Sequence, residues 1–189
     1  MPITTIDPRT ALIVIDLQAV TAHIPTVHPF DDVLANAVEL TDAFRARNLP
    51  VVLVNVAGGP GGRTDRSGEQ EGGEGQEMPE GWSDLLPALR QQPTDKTITK
   101  YTWGAFHNTG LADHLAGLGV TQVVICGVST SQGVESTARQ AHEHGYNVAL
   151  PVDAMTDVNA ATHENSITRV FPALGETGST ADVLALLSA

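Results

Sequence analysis

Apolar residues along this chain fall into short consecutive runs that alternate with helix-spaced sets. Residues 11–15 (Ala-Leu-Ile-Val-Ile) form a β-branched run that ends at Asp16. Further runs span 50–56, 122–126 and 146–150, the last closed by Pro151. Residues 96–100 form a weaker run, and Glu176 and Thr177 offer a short sixth strand. Short runs that are apolar at successive positions predict strands buried on both faces. Between them, residues 31–48 place Val33, Leu34, Ala37, Val38, Leu40 and Phe44 at three- and four-residue spacing, as an amphipathic helix does. Residues 109–118, 132–144, 159–171 and 181–187 predict four more helices, with Gly119 and Gly145 placed to stop the first two of these. Alternating strands and helices predict a single α/β domain over residues 1–189. Its layers are α/β/α around a mainly parallel, Rossmann-like sheet of five or six strands.

Residues 57–81 break the pattern. They hold nine of the eighteen glycines, Pro60, Pro79, Arg63, Arg66 and a run of acids from Glu69 to Glu80. A loop this long is either a surface insertion or a lid over the neighbouring strand ends. Its Gly-Gly-Pro-Gly-Gly-Arg stretch lacks the Gly-Lys-Ser/Thr of a phosphate-binding loop.

Composition narrows the function classes. A chain of 189 residues can bury a full core, and 41% hydrophobic residues fit a soluble globular protein. No apolar run approaches the roughly 18 residues of a membrane span. Residues 1–5 lack a basic stretch leading into an apolar one, so no signal peptide is read and the expected compartment is the cytoplasm. The one cysteine, Cys126, excludes an internal disulfide. A net charge of −12 argues against nucleic acid and acidic membranes as partners, since both demand clustered Lys and Arg. A small-molecule partner remains.

In open α/β sheets chemistry gathers where strands give way to loops at their C-terminal ends. Asp16 stands at the end of the first run, where burial would raise its pKa and a cation would lower it. The alternative is an Asp that caps the next turn. Gln18 can hydrogen-bond that turn or a substrate. Lys100 ends the third run and leads into Tyr101-Thr102-Trp103-Gly104-Ala105-Phe106. Trp82, Trp103 and Phe106 form either an apolar wall or part of the core. The fourth run feeds residues 127–138 (Gly-Val-Ser-Thr-Ser-Gln-Gly-Val-Glu-Ser-Thr-Ala), a strand–turn–helix joint whose hydroxyls suit helix capping. Cys126, inside the strand, reads as an inert core thiol. Of the seven histidines, His142 and His144 are two apart on a helix and do not share a face.

Asp16-Leu-Gln18, the Lys100–Phe106 stretch and the 127–138 turn, together with 118–121 and 153–156, resemble the isochorismatase-like (cysteine hydrolase) superfamily. The resemblance covers nearly the whole chain outside residues 57–95. It implies the isochorismatase-like hydrolase fold, with Asp16, Lys100 and position 133 as catalytic positions. It also implies an oxyanion-binding turn at Val128, Ser129 and Gly133, with a cis peptide at Val128–Ser129. Gln18, Trp103, Phe106 and Thr130 become the expected substrate contacts. Most members carry a nucleophilic cysteine at the position of Gly133, so thioester chemistry is lost here. True isochorismatases in the superfamily also carry glycine there, and they cleave a vinyl ether by protonating it. The implied function is therefore acid-catalysed vinyl-ether hydrolysis by Asp16 and Lys100. One alternative is an inactive family member that binds or regulates through a small molecule. Another is a hydrolase of an amide or other small molecule with a recruited Ser or Cys126 nucleophile. Related nicotinamidases hold a metal on an Asp-x-His after the second strand. This chain has Asn55-Val56-Ala57 there, so no metal and no cofactor are expected. Family members form homodimers or homotetramers, and either is the expectation here.

Overall fold

The computed structural model describes residues 2–65 and 78–188. The residues from Arg66 to Glu77, half of the expected lid, lie outside the described set.

Among the described residues, seven parallel strands make one sheet. They are β1 (Thr10–Ile15), β2 (Val51–Val56), β3 (Lys96–Lys100), β4 (Gln122–Val128), β5 (Asn147–Pro151), β6 (Met155–Thr156) and β7 (Glu176–Gly178). The order is β3-β2-β1-β4-β5-β7, with β6 beside the end of β4. The expected five or six strands thus become seven. The extra strand, β6, is two residues long and pairs with Gly127 and Val128 just beyond the point where β5 leaves β4. No periodicity can register in two residues.

The helices are α1 (Phe30–Ala46), α2 (Leu111–Gly117), α3 (Glu135–Glu143), α4 (Ala160–Asn165) and α5 (Thr180–Ser188). Asp31 and Asp32 lie in the first turn of α1, where the helix dipole favours carboxylates. Gly119 (φ 65°) and Gly145 (φ 83°) follow α2 and α3 in the left-handed region that a helix end favours. The expected helix over 132–144 is preceded by a wide π-type turn at Thr130–Val134. The expected helix over 159–171 is α4 followed by a second such turn, Ser166–Val170.

Alternate strand residues feed two cores. Ile13, Ile15, Val54, Val123 and Ile125 pack with Leu111, Leu115, Val134 and Ala138 of the α2/α3 layer. Leu12, Val14, Leu53, Val124 and Cys126 pack with Val33, Ala37, Leu40, Phe44 and Val183 of the α1/α5 layer. Both faces of β1 and β4 are buried, which accounts for their unbroken apolar runs. No helix among the described residues is long and apolar enough to cross a membrane.

Candidate functional site

Because β1, β3 and β4 run parallel, their C-terminal ends share one edge. Ile15 is level with Gly127, and Lys100 pairs with Val56 at the end of β2. Gly127 adopts φ 118°, and a Cβ there would lie 2.0 Å from the Ile15 carbonyl oxygen. Only glycine lets the two strand ends approach so closely.

Asp16 is the first residue past β1 and adopts φ 50°, a left-handed conformation that Asp tolerates better than most residues. Its N–H still donates to Val54 O (2.9 Å). Its side chain is buried, and Oδ2 accepts from Lys100 Nζ at 2.7 Å. Lys100, 1% exposed, also donates to Thr102 O at 3.2 Å, which leaves one ammonium N–H uncommitted among the described residues. Asp16 Oδ1 is buried and has no hydrogen-bond partner among the described residues. Burial pushes the Asp16 pKa up to about 6, against the opposing pull of the Lys100 charge and hydrogen bond.

Gly133 stands over this pair. A Cβ on Gly133 would meet Ile15 Cγ2 at 2.9 Å, Asp16 Oδ2 at 3.2 Å and Val128 O at 3.3 Å. The position of the missing thiol therefore adjoins the Asp16 carboxylate. The Val128–Ser129 peptide is cis, as the resemblance implies. Ser129 O accepts from the N–H groups of Gln132 (3.1 Å) and Val134 (3.2 Å), which folds the turn back on itself.

Two of the expected substrate contacts are engaged within the protein. Gln18 is fully buried, and its amide is spent on the backbone. Oε1 accepts from Val56 N (2.7 Å), while Nε2 donates to Val56 O (3.0 Å) and Trp82 O (3.4 Å). Phe106 packs in the α2/α3 core against His144 and Tyr146, with ring centroids 5.0 and 6.0 Å away. Trp103 is 54% exposed on the segment after Lys100, beside the exposed Tyr101.

Thr130 is fully buried, so its hydroxyl faces the protein interior. Thr130 Oγ1 lies 2.9 Å from His163 Nδ1, and His163 Nε2 lies 3.2 Å from His28 Nε2. Burial and the adjacent His28 hold His163 below the usual imidazole range, although Asp157 and Glu164 pull the other way. Asp157, 1% exposed, accepts from Ser131 N (2.6 Å) and Val158 N (2.8 Å) and so anchors the same turn. His163 and Asp157 escape sequence reading because their partners lie 33 and 26 residues away. The nearest clue is that Asp157 directly follows the 153–156 stretch.

The other candidates are structural. Cys126 is buried away from solvent, and its thiol is pushed up to about 12 by burial and by Asp153, so almost no thiolate forms. The residues that close β2 and follow it do not fit a metal. Asn55 donates to Ser83 O and accepts from Thr99 Oγ1 (2.8 Å each), and Val56 and Ala57 offer no side-chain ligand.

The sequence model described as "Isochorismatase domain" matches residues 10–182. The chain is 37% identical over 179 residues to an uncharacterized isochorismatase family protein, YwoC, of Bacillus subtilis, covering 93% of each. Streptothricin hydrolase of Streptomyces noursei is 33% identical over 150 residues, 79% of this chain and 55% of that protein. Among solved structures, an isochorismatase family protein from Burkholderia thailandensis superposes with a TM-score of 0.89 at 38% identity, covering 98% of both chains.

Proposed function

Since the chain belongs to the isochorismatase family of hydrolases, we propose that it cleaves a small-molecule vinyl ether of the isochorismate type, with Asp16 as the acid. The observation that carries this reading is a buried carboxyl of raised pKa whose Oδ1 is unpartnered among the described residues and whose Oδ2 adjoins the glycine where a thiol would stand. A thioester route needs a nucleophile at 133, and a vinyl ether needs only a proton donor.

Asp16 Oδ2 is engaged by Lys100, so the transferable proton resides on Oδ1. That proton moves to the terminal methylene carbon of the enol ether, and the C=C pair forms the new C–H bond. The positive charge is shared between the former vinylic carbon and the ether oxygen, beside the Asp16 carboxylate just formed. Water adds to that carbon and returns a proton to Asp16. The hemiketal then breaks its C–O bond as its hydroxyl gives up a proton and the departing oxygen gains one, which yields pyruvate and an alcohol. The third N–H of Lys100 is suited to the substrate carboxylate. The Val128 carbonyl, turned toward the space over Gly133, is suited to orient the water. The Ser131 N–H is committed to Asp157 and takes no part.

The test is pyruvate release from isochorismate by the native chain and by Asp16→Ala. Release that Asp16→Ala lowers by about 10²–10⁴-fold supports the reading. Absence of release from the native chain overturns this substrate. Equal release by both proteins overturns the role of Asp16.

A further inference from the structure

Lys100 is the last residue of an edge strand, and the residues after it have no regular structure. What keeps its ammonium on Asp16 must therefore come from elsewhere in the fold. Two side chains of α3 grip the segment. The buried Thr137 hydroxyl accepts from Ala105 N–H (3.1 Å) and donates to Gly133 O (2.7 Å). One turn further along, Gln140 Oε1 accepts from Phe106 N–H (3.0 Å). Gly104 has no side chain because the Gln140 amide already fills the space, only 2.2 Å from where a Cβ would stand. A single hydroxyl thus joins the Lys100 segment to the carbonyl of the residue that faces Asp16. The carbonyl that accepts from Lys100 Nζ, Thr102 O, lies within the gripped segment.

We propose that Thr137 and Gln140 are positioning residues that lock the Lys100 segment to the Gly133 turn and so fix the Lys100 ammonium against Asp16. Neither touches the reacting groups, and each acts through the backbone of residues 102–106. The proposal rests on the reading of Asp16 as the acid, and its primary readout does not require turnover. Lys100 lowers the Asp16 pKa, so a Lys100 that drifts away lets that pKa rise.

The experiment follows the Asp16 carboxyl carbon by ¹³C NMR through a pH titration of the intact protein. The proteins compared are native, Thr137→Val, Thr137→Ser and Gln140→Met. Asp16 is expected to titrate at least about half a unit higher in Thr137→Val than in the native chain, and near the native value in Thr137→Ser, which keeps the hydroxyl. Gln140→Met, less buried, is expected to shift it in the same direction by less. It carries the test if Thr137→Val does not fold. A native Asp16 titration in folded Thr137→Val, or in Gln140→Met when that variant stands alone, overturns the proposal. If isochorismate is not turned over, the titration still decides the positioning question, so the two readings fail separately.

Discussion

The two ends of the β1–β4 strand pair bury polar groups in opposite ways. At the lower end, Gln122 is 4% exposed and both its side-chain oxygen and nitrogen are partnered. Its Oε1 accepts from Asp7 N (2.8 Å) and the Thr10 hydroxyl (2.6 Å), and its Nε2 donates to Thr5 O (2.9 Å). At the upper end, Asp16 is 6% exposed with one oxygen on Lys100 and the other on nothing among the described residues. Folding alone accounts for the lower arrangement, since a satisfied buried amide pins the register of the incoming chain. An unmated oxygen on a buried acid costs stability with no structural return, and such costs gather where chemistry is done. A cavity of about 630 Å³ opens at the lower rim, lined by Thr4, Asp7, Gln122, His142 and Glu176, yet among the described residues no buried side-chain oxygen or nitrogen there lacks a hydrogen-bond partner. Size alone therefore does not mark the site.

Substitutions at the two ends sharpen the contrast. Lys100→Met leaves Asp16 buried without its cation, and loss of one partner of such a pair costs about 3–5 kcal/mol. The sign with pH follows from the shift. The folded pKa of Asp16, about 6, lies above the unfolded 3.8, so the folded state holds the proton more tightly. The contribution of this group to stability is largest below about pH 4 and falls as pH rises to about 6. Urea unfolding of Lys100→Met should therefore show a large loss at pH 8 and a small one at pH 5. An equal loss at both pH values would show that Lys100 serves packing and not the Asp16 charge. Gln122→Leu is expected to cost about 2–3 kcal/mol, by orphaning Asp7 N–H and Thr5 O, with the same loss at pH 5 and pH 8. A pH-dependent loss there would dissolve the distinction between the ends. Gly133→Ala is the mildest change. The new methyl must displace Ile15 Cγ2 and crowd Asp16 Oδ2, at about 1–2 kcal/mol. It should reduce turnover by more than that stability loss explains, and unaltered kcat/KM would remove Gly133 from the reacting space.

Much of this was legible in the chain. The runs located β1 to β5, the short sixth element fell at β7, and Asp16 and Lys100 declared themselves as charges at the ends of such runs. The glycine-rich joint at 127–138 pointed to the turn, and its lack of a cysteine pointed away from thiol chemistry. What sequence could not show was how each polar group is spent. Gln18 is polar and near the site, yet an amide has one acceptor and one donor end, and a neighbouring strand end takes both. Phe106 follows Lys100 closely, yet the segment turns its ring into the core. The partnerships of Thr130 with His163 and of Thr137 with Ala105 join residues 33 and 32 positions apart, and no local pattern encodes them.

The proposed role of Asp16 as a protonated acid is tested most directly by the pH dependence of kcat/KM for pyruvate release from isochorismate. That profile reports the free enzyme's essential groups. The prediction is a limb that is level below about pH 6 and falls tenfold per unit above it, with Asp16→Asn reduced by at least about 10²-fold throughout. A rate that rises through pH 6, or an Asp16→Asn variant of native activity, would contradict it.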